Sequence, residues 1–398
     1  MALQTIQQRK RGFICVNAHP EGCRKNVSEQ VRNITAAVPK QLDGPQKALV
    51  LGSSTGYGLA SRIAAAWGFG AGTLGVCFER PPKEGATATA GYYNTVAFHE
   101  EARKAGLLAA TLNGDAFSDD LKRQTAELIR KHFGTVDLVI YSLASPRRIH
   151  PRTGATHDSA LKPIGRPFTS KTVDLKSEAV VEITLQPAAE KEISDTVAVM
   201  GGEDWRFWIS MLLEEKLLAP GARTCAYSYI GPEVTWPIYK DGTIGRAKQD
   251  LDTTSRDLNA LLKEKLHGSA WVSVNKAVVT QASSAIPVVP LYLSILPGIL
   301  REKGADEYPI DQMRRLMMDF VARADRSMLD EAGRVRLDRA ELKPDVQARV
   351  AHVWTRVSSE NLSEITDFAG FKRTFDNLFG FGVEGVDYSQ PTETDLSW

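Results

Sequence analysis

The chain has 398 residues, 43% of them hydrophobic and 24% charged, and its 49 basic residues are balanced by 48 acidic ones. Such proportions belong to an ordinary globular protein, and the near-zero balance argues against bulk electrostatic binding to nucleic acid or to an anionic membrane. No apolar run reaches the roughly 18 residues that a membrane-crossing helix needs.

The length fits two to three domains, or one large α/β domain with additions. MALQTIQQRKRGF carries charges with no apolar core behind them, so it does not read as a secretory signal. The 4 cysteines (Cys15, Cys23, Cys77, Cys225) show no CxxC spacing, which fits reduced thiols in the cytoplasm. The 7 histidines are scattered without HExxH, so no metal is expected.

Residues 1–45 read as an extension packed on the core. RGFICVNAHPEGCRKNV suggests a short apolar strand, a His-Pro-Glu-Gly turn and a helix over Asn26–Ala37. Lys47–Leu51 (KALVL) reads as a buried strand, and GSSTGYG follows at once. Gly52, Gly56 and Gly58 then lie in a GxxxGxG spacing ahead of a helix over Leu59–Trp67. Strand, glycine turn and helix together let a backbone approach a pyrophosphate and present a helix N-terminus to it. No GK[ST] ends the turn, so it is not the phosphate loop of an NTPase. The second strand, Thr73–Phe78, ends in Glu79. An acid at about 20 positions past a glycine turn accepts from both ribose hydroxyls and repels a 2′-phosphate, which favours NADH over NADPH. Arg80 next door weighs the other way, and a solvated strand-end Glu is the plain alternative.

Residues 81–96 read as an insertion, with a helix over Thr95–Ala105 after it. A third strand, Leu108–Leu112, places Asp115 near an adenine ring, and a helix spans Asp119–Phe133. A fourth strand, Val136–Tyr141, leads into Ser142-Leu143-Ala144-Ser145-Pro146. Strands alternating with helices on this rhythm give an α/β fold with a doubly wound parallel, Rossmann-like sheet. Ligands of such sheets bind at the carboxyl ends of the strands, where Gly52, Glu79, Asp115 and Leu143-Ala144 all fall.

Residues 146–200 break the rhythm as an elaboration near the site, with an added strand over Ala179–Leu185 in a small hairpin. A helix over Gly201–Leu217 carries Trp205 and Trp208 as core residues. A fifth strand, Thr224–Ile230, puts Tyr227 and Tyr229 on one face. Ala270–Thr280 is the sixth strand and its exit, where the backbone of Val278, Val279 and Thr280 is placed to hold a nicotinamide amide. The loop QASSAIPVVP opens a helix over Leu291–Lys303, and Ile286–Leu296 is apolar enough to line a substrate groove. The tail from Pro309 holds helices over Ile310–Ala324 and Leu342–Ser358. There Phe368, Phe371, Phe375 and Phe379 recur at helical spacing, which fits packing better than a flavin box. The expected division is an extension (1–45), a core (46–308, with insertions at 81–96 and 146–200) and a helical tail (309–398).

Between the fifth and sixth strands lies IGPEVTWPIYKDGTIGRAKQD, with Tyr239 and Lys248 nine residues apart and Gly242 and Gly245 between them. A Tyr–Lys pair beside a nicotinamide can finish a hydride transfer: the cation eases charge on the phenol oxygen, and the phenol stabilises the developing oxyanion. On one continuous helix this spacing is about 900°, so the side chains would face opposite ways. Tyr239 must therefore precede the helix and Lys248 lie within it, with Asp241-Gly242 as a turn and Thr243 as a cap for a helix reaching Leu266.

These residues give the chain a resemblance to the FabV-type trans-2-enoyl reductases of bacterial fatty-acid synthesis, relatives of the short-chain dehydrogenase/reductase superfamily. It runs over almost the whole length, on FICVNAHPEGC, VLGSSTGYGLASRIAAA, CFERP, YSLASPRR, IYKDGTIGRAKQDLD and VNKAVVTQASSAIP. The Tyr-x8-Lys spacing is its distinctive part, since ordinary short-chain reductases use Tyr-x3-Lys and other common enoyl reductases Tyr-x6-Lys. The resemblance implies NADH-dependent reduction of the C2–C3 double bond of trans-2-enoyl thioesters carried by acyl carrier protein or CoA. Tyr239 would be the acid, Lys248 would hold the ribose and support it, and Tyr229 would contact the thioester carbonyl. Gly52, Ser53, Ser54, Thr55, Gly56, Tyr57, Phe78, Glu79, Asp115, Ala116, Leu143, Ala144, Val278, Val279 and Thr280 would form the NAD site. The family's C-terminal segment has been described as flavin-binding, but no dinucleotide fingerprint stands there and a required flavin is not expected. The front end and tail cover surfaces that smaller reductases use to oligomerise, so a monomer is expected. A carbonyl reductase of the same fold and a non-catalytic NAD-binding sensor are the rival readings.

Overall fold

The computed structural model describes residues 3–11, 14–38, 40–284 and 286–398. Gly12 and Phe13, in the expected front strand, and Ala285, in the QASSAIPVVP loop, lie outside the described residues. Seven strands form the central sheet: β1 (Lys47–Leu51), β2 (Gly72–Cys77), β3 (Ala109–Asn113), β4 (Val136–Tyr141), β5 (Leu218–Ser228), β6 (Ser269–Val274) and β7 (Val335–Arg336). They pair in the spatial order 7-6-5-4-1-2-3, every pair parallel. Apolar runs such as KALVL and VDLVIY suit strands covered on both faces. The order reverses between β1 and β4, where Leu51 pairs with Tyr141. That reversal opens a crevice at the carboxyl ends of the strands.

Side chains alternate across β1, so Val50 joins one core and Leu49 and Leu51 the other. The first core is closed by helices Pro20–Ala37 and Gly56–Phe69 and by tail residues Met313 and Met317. The second is closed by Leu121, Trp205, Trp208 and Leu258, confirming both tryptophans as fully buried core. A third core ties the front end to the tail: Cys23, Leu293, Leu296, Phe368, Phe371 and Phe375 pack together. The two ends also meet where Leu3–Gln4 pairs antiparallel with Thr392–Glu393.

Several expected boundaries shift for local reasons. The His-Pro-Glu-Gly segment is the start of helix Pro20–Ala37: the His19 ring accepts from the Gly22 amide and Pro20 takes the first turn, where no amide donor is needed. The helix expected from Thr95 begins at Ala90, so the irregular stretch before it is shorter than 81–96. The elaboration at 146–200 contains the expected hairpin, Phe168–Asp174 paired with Ala179–Leu185, and also helix Glu190–Met200. That helix stops before Gly201-Gly202 and a second one covers Glu203–Glu214, in place of a single helix from Gly201 to Leu217. A Cβ on Gly202 would collide with Thr254, so the break lets helix Thr243–Leu266 pack close. β5 ends at Ser228, which leaves Tyr229 just past the sheet. β7 is a strand from the tail that the sequence pattern did not foretell.

Candidate active site

The glycine turn joins β1 to helix Gly56–Phe69 at the crevice. Gly52 has φ 84°, a conformation natural to glycine, and a Cβ there would strike the Ser142 carbonyl. A Cβ on Gly58 would strike the Gly52 carbonyl, so the turn and the first helical residues lie as close as backbones allow. Thr55 precedes the helix with no side-chain cap, and no acidic residue stands in the first turn. No side-chain cap thus occupies the amides at this N-terminus, which can serve as a cradle for an anionic group. Ser53 serves the turn itself: its amide and hydroxyl both donate to the Val76 carbonyl.

Glu79 lies beyond β2, and its carboxylate turns back to the cradle. One oxygen accepts from the Ser54 hydroxyl at 2.6 Å and the other from the Thr89 hydroxyl at 2.5 Å. Asn113, at the end of β3, clamps the Glu79 backbone with paired bonds of 2.7 and 2.8 Å. Phe78 beside it is 80% exposed, an uncovered ring at the rim. The Asp115 carboxylate accepts from the Phe117 amide, so its side chain shapes the turn after β3. Ala116 is buried, and its carbonyl accepts from Lys122 and Trp208. After β4, Leu143 is half-buried and Ala144 exposed.

Across the crevice, Tyr57 reaches from the glycine turn to donate to the Lys276 carbonyl at 2.5 Å. Val278–Thr280 follow directly. The Thr280 amide donates to Ser283 Oγ at 2.8 Å, and that hydroxyl donates to the Val278 carbonyl at 2.8 Å. The Thr280 carbonyl accepts from the Ser284 amide and hydroxyl, so three of this segment's backbone groups are already bonded within the loop.

Tyr239 and Lys248 stand on different elements. A 3₁₀ turn, Glu233–Thr235, runs into the turns that carry Tyr239, whose amide donates to the Thr235 carbonyl at 2.9 Å; helix Thr243–Leu266 starts only afterward. Gly242 occupies the cap position. Thr243, expected as the cap, instead donates its hydroxyl to the Ala160 carbonyl, because the 146–200 elaboration packs against this end. A Cβ on Gly245 would strike the Lys240 carbonyl, so glycine is what lets the Tyr239 turn fold down onto the helix. Lys248 donates to the Tyr227 carbonyl at 3.0 Å. Among the described residues the Tyr239 hydroxyl makes no hydrogen bond. Burial pushes the phenol up to about 12 and the ammonium down to about 8, the latter opposed by Asp252 one helical turn on.

Tyr229 stands edge-on to Tyr239, ring centroids 4.8 Å apart at 88°. Its hydroxyl donates to Glu341 at 2.8 Å. Glu341 comes from the tail, is fully buried and also accepts from Tyr292 and the Ala277 amide. Residues 288–296, expected in part as a groove, are buried in the core against the tail, which leaves Ile286 and Pro287 partly exposed at its margin.

The cradle, the uncapped helix N-terminus and the carboxylate beside them fit a nicotinamide dinucleotide. The tail does not fit a flavin. Phe368, Phe371, Phe375 and Phe379 are 2–4% exposed and used in packing, while the Asp338 and Glu341 carboxylates are already bonded to protein groups. Among the described residues no cluster of three or more His, Cys, Asp or Glu is gathered for a metal, and no helix is long and apolar enough to cross a membrane.

Comparison with known proteins agrees with the nicotinamide site, whereas the family description that the tail matches names a flavin. Residues 86–321 match the model of the trans-2-enoyl-CoA reductase catalytic region, residues 5–84 that of the NAD(P)H binding domain of trans-2-enoyl-CoA reductase, and residues 329–392 that of the enoyl reductase FAD binding domain. An enoyl-[acyl-carrier-protein] reductase [NADH] of Opitutus terrae is 56% identical, over 98% of this chain and 99% of the relative. The trans-2-enoyl-CoA reductase of Treponema denticola, solved with NAD, superposes with a TM-score of 0.93 at 45% identity, over 99% of both chains. That of Clostridium acetobutulicum, solved with NADH, superposes with a TM-score of 0.95 at 39% identity, over 98% of both chains.

Proposed function

The chain belongs to the family of NADH-dependent trans-2-enoyl-CoA and enoyl-acyl-carrier-protein reductases, and we propose that Tyr239 and Lys248 carry its chemistry. The reaction is reduction of the C2–C3 double bond of a trans-2-enoyl thioester. The observation that carries the residue assignment is the Tyr239 hydroxyl, borne by a half-buried ring edge-on to Tyr229 and without a protein hydrogen-bond partner among the described residues.

NADH, when bound, supplies the hydride that adds to C3. The chain's own groups deal with the charge this creates. Negative charge collects on the thioester carbonyl oxygen, and the Tyr239 hydroxyl, kept protonated by burial, donates a hydrogen bond to it. Lys248 spends one donor on Tyr227 and has two left for a ribose hydroxyl, its charge easing the polarisation of Tyr239. A proton delivered at C2 completes the saturated thioester. Glu79 accepts from the adenosine ribose and disfavours a 2′-phosphate, with Ser54 and Thr89 holding its carboxylate in place. Gly52–Tyr57 take the pyrophosphate, Phe78, Asp115 and Ala116 border the adenine, Leu143 and Ala144 line the crevice, and Val278–Thr280 take the nicotinamide amide. NADH oxidation with crotonyl-CoA tests the activity and separates it from carbonyl reduction and from a cofactor sensor; an inert chain contradicts the reading.

The acyl group arrives on acyl carrier protein or on CoA, and a comparison of kcat/KM for the two carriers decides between them. The protein acts as a monomer in the cytoplasm. The tail strand β7 covers part of the β6 edge that would otherwise offer pairing to a second copy, and the four buried free cysteines suit a reducing compartment. Light scattering on the purified chain checks the oligomeric state.

A further inference from the structure

The tail brings one carboxylate into the heart of the site. Glu341 is fully buried, and each of its oxygens is engaged. Oε1 accepts from the hydroxyls of Tyr229 and Tyr292, both at 2.8 Å, and Oε2 accepts from the Ala277 amide at 2.7 Å. Its own carbonyl accepts from Gln347, which also donates to Tyr292 Oη at 3.2 Å. Burying a carboxylate is costly unless donors replace its water, and here three do. An apolar side chain of similar volume would avoid burying a charge but would leave these three donors without their acceptor. What the carboxylate adds is direction. It ties the Tyr229 hydroxyl, hence the ring that stands edge-on to Tyr239, to the first residue of the Ala277–Thr280 segment. A second tail-side group, Gln312, holds the adjoining Lys276 amide at 2.8 Å.

We propose that Glu341 is a positioning residue for the reduction: it fixes Tyr229 against Tyr239 and sets the course of the Ala277–Thr280 segment, so that the C-terminal segment helps to complete the active site. The inference rests on Tyr239 being the group that meets the thioester oxygen.

The test is a double-mutant cycle on Glu341→Gln and Tyr229→Phe, read in kcat and KM for crotonyl-CoA, NADH affinity by fluorescence, and thermal unfolding. Glu341→Gln keeps the side chain's length while weakening its acceptance from two phenols. It should lower kcat by about 10- to 100-fold with NADH affinity within about 3-fold of the parent. Because Glu341 acts in part through Tyr229, the double variant should lose less than the product of the two single losses. Independent losses that multiply, or an unchanged kcat beside a lowered Tm, would overturn the proposal in favour of a purely structural carboxylate. If Glu341→Gln does not fold, Glu341→Asp, which keeps the charge but shortens the reach, puts the same question, with a folded chain of normal kcat as the contradicting result. Tyr239→Phe is run beside them. Full activity in that variant would remove the underlying assignment, whereas a silent Glu341→Gln with an impaired Tyr239→Phe would remove only this one.

Discussion

The ammonium of Lys248 donates to the carbonyl of Tyr227 at 3.0 Å, and no hydrogen bond joins it to Tyr239 among the described residues. The support for the phenol that we propose for it is therefore exerted through charge. Burial lowers Lys248 to about 8, while Tyr239 sits near 12. As pH rises through 8 the lysine loses its proton and its cation, while the tyrosine keeps its own. The kcat/KM for the enoyl thioester should accordingly fall on the alkaline side, by about tenfold per pH unit beyond that value. Lys248→Arg, which stays charged, should remove this limb at reduced activity. A limb that persists unchanged in the arginine variant would assign it to another group.

Gly245 offers a test in which local and tertiary preferences disagree. Within a helix, glycine to alanine ordinarily stabilises by about 1 kcal/mol. Here the new methyl would strike the Lys240 carbonyl and press on the Tyr239 turn. Gly245→Ala should therefore lower Tm and reduce kcat by about 100-fold, since displacement of an acid by an ångström is that costly. A stabilised, fully active variant would show that the turn does not depend on this close approach.

On the proposed assignment, cofactor preference turns on Glu79. Its carboxylate is held by Ser54 and Thr89, and its backbone by Asn113. Glu79→Ala should lower the NADH-over-NADPH ratio in kcat/KM by about tenfold or more, as removal of one charge facing a 2′-phosphate implies. An unchanged ratio would move the discrimination to other residues.

Much of this arrangement is legible in the sequence because its signals are local. KALVL before GSSTGYG fixes strand, turn and helix within one stretch, and the β1 and β4 boundaries coincide with the apolar runs. The awkward Tyr239–Lys248 spacing demands a break before the helix, and the helix does start at Thr243. What escapes are contacts made over long separations. Glu341 lies 112 residues from Tyr229, within a polar stretch that gives no sign of burial. β7 has two residues, too few to show a period. Asn113 looks like any strand-end polar residue until the sheet order sets β3 beside β2.

The central claim is that the Tyr239 hydroxyl stabilises the charge formed on the thioester oxygen. Tyr239→Phe removes that oxygen and keeps the ring that packs against Tyr229. The measurement is kcat for NADH-dependent crotonyl-CoA reduction, taken together with the Kd for NADH. The account predicts a loss of about 10²- to 10⁴-fold in kcat with NADH binding within a few-fold of the parent. A variant that binds NADH normally and turns over at the parent rate would contradict it.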